Sequence, residues 1–149
     1  MPSTKATNVW TDEERAAMKE GAREHKAASR RDPAAARAEG ERDVLAKIGG
    51  MGESDRVMAE RIHALVTEVA PNLAPRTFYG MPAYAKDRKV LCFFKPAGTY
   101  KERYATFGFQ DNAHIDEGTM WATSWALTEL TTDDKAKIAA LVKKAANQP

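Results

Sequence analysis

The sequence predicts an α+β fold in which helices pack on one side of a curved antiparallel sheet of four to five strands, preceded by an N-terminal helical arm. Three observations lead there. Every aromatic residue except Trp10 lies between Phe78 and Trp125, and aromatic side chains bury the most area per residue, so the core forms around that stretch. Outside it, Met58, Ile62, Leu65, Val66 and Val69, and later Ile138, Leu141, Val142 and Ala145, recur at three- and four-residue spacing. That spacing places them on one face of a helix. Helices, strands and a last helix follow one another in blocks, which points away from a parallel α/β fold.

The arm is expected over residues 1–40. Thr11 precedes Asp12-Glu13-Glu14; its hydroxyl can cap a helix while Glu14 reaches back to complete a capping box. The helix should run to about Ser29, but Met18 and alanines are its only apolar content, too little to anchor it by burial. Asp32-Pro33 is expected to end it, with Ala34 to Glu39 as an alanine-rich charged link that either extends a helix or stays mobile. The arm reads either as a solvated appendage or as a helix led by Trp10 that binds a protein partner.

The domain proper is expected over residues 41–149. A short helix from Glu41 to Ile48 is stopped by Gly49-Gly50, whose backbone freedom suits a helix end. Ser54 is the expected cap of the main helix, and Pro71 and Pro75 follow its end. Residues 77–85 read as one strand, with Pro82 confining it to an edge, a bulge or a strand end because proline cannot donate to a ladder. Lys86-Asp87-Arg88 makes a turn. Val90 to Phe94 is apolar at every position, the pattern of a central strand covered on both faces. Arg103 to Phe109 resumes the sheet, with Ala105, Phe107 and Phe109 on one face. After a loop from Asp111 to Gly118, Trp125 to Leu130 reads as a fourth strand, and Thr131 or Thr132 caps the last helix.

Composition bounds the function. The 149 residues carry 43% hydrophobic and 30% charged side chains, a balance that suits one domain with a real core. Basic residues number 23 and acidic residues 21, without the basic excess of a dedicated nucleic-acid binder, so no specific nucleic acid is expected as partner. Cys92 is the single cysteine, which excludes an internal disulfide and fits a reducing, cytoplasmic setting. No segment approaches the roughly 20 apolar residues that span a bilayer, and no membrane association is expected.

The run Tyr79-Gly80-Met81-Pro82-Ala83-Tyr84, then Lys89 to Phe94, then Arg103 to Phe109, resembles the YdhG-like family, a domain of unknown function. Ile115-Asp116-Glu117-Gly118, Met120-Trp121 and the segment Leu127 to Leu130 extend the match, which covers about residues 41 to 146. The family is similar to frataxin-like proteins in fold, and one branch is described as an intracellular iron chaperone. The resemblance therefore implies a small binding protein or iron carrier, and it brings no agreed catalytic residues. The chain departs from a frataxin-like acidic ridge, since its main helix mixes Glu53, Asp55, Glu60 and Glu68 with Arg56 and Arg61.

Two candidate sites follow from the residues. Between Tyr104 and Asp134 there is no lysine or arginine, and Asp111, His114, Asp116 and Glu117 offer oxygen and nitrogen ligands suited to weakly bound iron. The same residues are also ordinary turn chemistry. The second candidate is an aromatic ligand pocket of Tyr79, Met81, Tyr84, Trp121 and Trp125, with Glu129 as a polar contact if strand alternation continues past Leu127. Core packing is the competing reading of those aromatics. His63 borders the stripe of the main helix and reads as an ordinary boundary residue. For catalysis Ser124 has no neighbouring base in sequence, Cys92 lies in an apolar strand, and Gly98 and Gly108 belong to no phosphate-binding pattern, so no enzyme is indicated. The alternative to iron carriage is a non-enzymatic module that binds a small ligand or a protein.

Overall fold

The computed structural model describes residues 10–29 and 32–147. Parts of the expected arm (1–9, 30 and 31) and the last two residues of the expected domain lie outside the described residues. The chain runs α1 (Asp12–Ser29), α2 (Pro33–Gly49), α3 (Glu53–Val69), β1 (Ala74–Phe78), β2 (Met81–Lys86), β3 (Lys89–Lys95), α4 (Ala97–Tyr100), β4 (Ala105–Phe109), β5 (Ser124–Leu127) and α5 (Thr132–Ala146). The strands form one open antiparallel sheet in the order β1-β2-β3-β4-β5.

The α+β class is as expected, with five strands. The expected strand over 77–85 is two strands instead. Tyr79 and Gly80 both take positive φ, 51° and 82°, the requirement of a two-residue type I′ hairpin turn. Asp87 and Arg88 repeat the device between β2 and β3, with φ of 50° and 71°. Pro82 pairs with Thr77 of β1, and the register with β3 begins one residue later, at Ala83; the missing N–H therefore falls where no β3 partner is registered. A bulge between Tyr84 and Ala85 shifts the β2–β3 register. Across it Leu91 and Cys92, neighbours in sequence, both enter the core.

The core lies on one face of the sheet. Tyr84, Cys92, Phe94, Phe107 and Leu127 meet Val44 and Ile48 of α2, Met58, Ile62 and Val66 of α3, and Ile138 and Val142 of α5. The last helix starts as expected: Thr131 accepts from the Asp134 amide while the Asp134 carboxylate accepts from the Thr131 amide. Hydrogen bonding of the Asp134 carboxylate to the Thr131 amide, and then to the Thr131 hydroxyl, holds that carboxyl below its usual value.

Pro33 does not end a helix; it begins one. Asp32 caps α2 by accepting from the Ala35 amide at 2.9 Å, and proline at the first helical position loses only an N–H that would have had no partner. Helix α2 thus runs unbroken through the expected link, and a division of the chain at residue 40 falls inside it. Helix α3 is capped by Gly52 rather than Ser54, with no side-chain cap bond. Helix α1 has the expected Thr11–Glu14 capping box and, against expectation, is docked. Its attachment is polar and local rather than an apolar stripe. The Glu24 carboxylate accepts from the Tyr79 amide at 2.9 Å and the Gly80 amide at 3.4 Å. Gly21 lies against the Tyr79 ring, where a Cβ would fall 2.4 Å from its Cδ1.

Candidate functional site: a cleft on the second face of the sheet

Residues paired across antiparallel strands share a face. Phe93 pairs with Gly108 and Gly108 with Ser124, while Lys95 pairs with Thr106; these alternate with the core residues and face the other way. Together with Met81 they floor an open cleft of about 640 Å³. Trp10, just ahead of α1, and Glu14, Ala17 and Met18 of α1 supply one wall, and the segment that includes α4 supplies the other through Tyr100, Glu102, Arg103 and Tyr104.

Each wall is held by named contacts. Phe93 can lie flat over β4 because residue 108 has no side chain: a Cβ there would fall 2.6 Å from Phe93 Cζ. Asp55, almost fully buried at the start of α3, accepts from the Ala97 amide at 3.2 Å and the Gly98 amide at 2.9 Å, which fixes the start of α4. The Tyr100 hydroxyl donates to the Tyr79 carbonyl at 2.9 Å, and burial, with Glu24 and Glu102 nearby, makes that hydroxyl harder to ionise. On the α1 side Glu24 is half-buried, and burial raises its carboxyl above the ordinary value despite the bonds from Thr77, Gly80 and Tyr79. Tyr79 is held from both sides in a backbone conformation that costs a bulky residue energy.

The charges around the cleft are unevenly satisfied. Lys95 Nζ pairs with Glu102 at 3.1 Å and sits 5.1 Å from the centre of the Tyr100 ring. Glu14 is engaged in the α1 capping box. Arg103 lies with its guanidinium carbon 5.2 Å from the centre of the Tyr104 ring, and no carboxylate pairs with it among the described residues. Cation and aromatic faces therefore meet at one end.

The pocket expected from sequence is divided by the sheet. Tyr79 and Met81 line the cleft. Tyr84 faces the core instead, 1% exposed, where its hydroxyl lies 2.9 Å from His63 Nδ1. Trp125 is on the core face too, edge-on to Phe109 at 5.9 Å. Trp121 lies exposed ahead of β5 and does not line the cleft. Glu129 is exposed because β5 ends at Leu127, so the alternation that would have turned it inward stops two residues short. Phe93, Lys95, Thr106 and Ser124 were passed over because the apolar run Val90 to Phe94 reads as covered on both faces. Period-two alternation through Phe93 and Lys95 was the signal that could have found them.

The four expected metal ligands are not gathered. Asp111, His114, Asp116 and Glu117 are all exposed, while Ala113 and Ile115 between them point inward. Among the described residues no group of three or more His, Cys, Asp or Glu could hold a metal ion. Cys92 is fully buried, and burial pushes its thiol well above the ordinary range, so it is no nucleophile.

A second hollow, about 720 Å³, lies between α2, β1 and the β2–β3 turn. There Arg37 donates to the Pro71 carbonyl and Arg76 to the Thr77 carbonyl, among Glu24, Asp43 and Asp87. It has no aromatic surface, and α2 borders it close to residues 30 and 31, which are not described. The sheet-face cleft is therefore the candidate site. No helix among the described residues is long and apolar enough to cross a membrane. Comparison with models of known protein families, with curated proteins and with solved structures finds no match to this chain.

Proposed function

We propose that the protein is a non-enzymatic binding module that takes a small, largely apolar ligand in the cleft between α1 and the second face of the sheet. The observation that carries the reading is the floor: Met81 and Phe93, the latter laid on Gly108, present apolar surface beside polar groups at the walls. Ligand sites are mostly apolar with a few placed polar groups, and at roughly 300–1,000 Å³ they span the size of this cleft. The reading needs no catalytic residue. Membership of a YdhG-like, frataxin-like family is compatible with it.

The test fills the cleft from below. Thr106 lies on its floor, and Thr106→Trp occupies the space without touching the core face. Calorimetric titration with naphthalene-sized fragments should give saturable binding to the wild type and at least about tenfold weaker binding to the variant. Absence of saturable binding, or equal binding by the two proteins, contradicts the reading.

Iron carriage is the second reading. Its support is the resemblance, together with the exposed carboxylates of Asp111, Asp116 and Glu117, which pair with no cation among the described residues. Ligands that are not gathered leave most coordination positions to water, so any such binding is weak and reversible.

A further inference from the structure

Taking the cleft as a ligand site, we infer that its ligand is a planar aromatic anion, a fused-ring or aryl carboxylate, whose ring lies on Phe93 and Met81 and whose carboxylate meets Arg103. The inference rests on the cleft reading and adds the ligand's charge and shape to it.

Shape comes from the floor. Phe93 lies over a glycine in the adjacent strand and lines the cleft together with Met81. Thioether and ring surfaces both favour an aromatic neighbour. Tyr79, Tyr100 and Tyr104 stand around this floor, so a flat ring meets aromatic surface from several directions. A branched aliphatic ligand of equal volume would leave gaps against these planes.

Charge comes from a comparison of the four ionisable groups at the rim. Two are acidic, Glu14 and Glu102, and two basic, Lys95 and Arg103, so the formal sum is zero and decides nothing. Their partners decide it. Glu102 is bonded to Lys95 at 3.1 Å, and Glu14 accepts from the Thr11 amide at 2.9 Å at the positive end of α1. Helix dipole and capping bond both compensate that carboxylate. Arg103 is left with a ring face and no acceptor among the described residues. A guanidinium that meets a ring rather than an acceptor keeps its N–H donors free, and their planar fork matches a carboxylate in two parallel bonds. A cationic ligand would instead meet carboxylates already engaged, and it would stand beside two cations.

The ligand's length is set by the separation of these parts: the ring stays on the Phe93 floor while the anion reaches the rim. Aryl phosphates and sulfonates share the anionic chemistry; the carboxylate is the source we commit to because the planar two-oxygen group fits the planar fork.

The experiment is calorimetric titration of 2-naphthoate and of its neutral isostere 2-naphthamide into the wild type, Arg103→Gln and, as a control, Lys89→Gln, an exposed lysine that does not line the cleft. Arg103 is exposed, so its replacement leaves the fold in place, as thermal melting should verify. The wild type should prefer the carboxylate by about fivefold, in the range of an exposed charge-assisted pair. Arg103→Gln should bind both compounds equally, and Lys89→Gln, which removes a cation outside the cleft, should keep the preference. Equal binding of the two compounds by the wild type overturns this inference while leaving the cleft reading intact. Retention of the preference in Arg103→Gln, or its loss in Lys89→Gln, also overturns it. Failure of both compounds to bind the wild type removes this inference and the cleft reading together.

Discussion

The Phe93 ring lies on Gly108 of the neighbouring strand so closely that an added methyl group there would stand 2.6 Å from the ring's far carbon. The pair creates the flat floor of the cleft, because any side chain at 108 would lift the ring into the space above it. Gly108→Ala should lower stability by about 1–3 kcal/mol, the cost of forcing a packed ring from its place, and should weaken fragment binding in parallel. Denaturant unfolding and calorimetry on the same preparation check it. A variant that binds normally would show that the ring's position is not what makes the site.

The Tyr84 hydroxyl and His63 Nδ1 are 2.9 Å apart, and His63 Nε2 is 3.1 Å from the Glu41 carboxylate. A carboxylate only accepts, so the neutral imidazole carries its proton on Nε2, and Nδ1 accepts a hydrogen bond from the tyrosine hydroxyl. Burial makes that phenol harder still to ionise. The chain ties α2, α3 and β2 together inside the core face, away from the cleft. Tyr84→Phe should cost about 1 kcal/mol in urea unfolding and leave fragment affinity unchanged. A large loss of affinity would mean that the two faces of the sheet are coupled.

Glu24 gives the docking of α1 a pH dependence whose sign can be worked out. Burial raises its carboxyl above the ordinary 4.5 in the docked state, so the docked arm holds a proton more tightly than a released arm does. Docking therefore strengthens as pH falls from neutral through the raised value toward 4.5, and it weakens as pH rises through the same window. Amide exchange protection along α1 reads this directly. The difference between wild type and Glu24→Gln, taken at pH 7 and pH 5, isolates the group from the Glu13–Lys101 and Glu20–Lys47 pairs. Protection of the wild type, relative to the variant, should be greater at pH 5 than at pH 7. A difference of the opposite sign would contradict the burial argument.

Iron separates the two functional readings. With Asp111, His114, Asp116 and Glu117 exposed and ungathered, ferrous iron titrated under anaerobic conditions should bind no more weakly to a variant with Asp111, Asp116 and Glu117 changed to the amides than to the wild type. Tight binding that the variant loses would restore the iron carrier as the leading reading.

The sheet was legible in the sequence because the aromatic residues concentrate in it, and the stripes of α3 and α5 because Ile62, Val66, Ile138 and Val142 recur at helical spacing. The Thr11–Glu14 capping box was legible because its two residues satisfy each other within four positions, and Thr131 was legible as a cap, though its reciprocal bond with Asp134 was not. What escaped depends on context. Pro33 reads as a breaker until Asp32 caps the helix that it starts. Tyr79 at positive φ is not a residue that announces a turn, and it is held there by Glu24, 55 residues away. The aromatic pocket was misassembled because the bulge at Tyr84 and the end of β5 decide which face Tyr84, Trp125 and Glu129 join. Neither event has a signature in composition.

Methionine methyl signals provide the most direct test of the cleft, since the chain places natural reporters on and off it. Met18 and Met81 line the cleft, Met58 is buried in the core, and Met120 is 89% exposed elsewhere. Titration of 2-naphthoate into protein carrying ¹³C-methyl methionine should shift the Met81 and Met18 resonances through a saturable curve and leave those of Met58 and Met120 in place. Ring currents act only over a few ångströms, so the shifted signals locate the ligand. Saturable shifts confined to Met120, or no shift at Met81 at saturating ligand, would contradict the account.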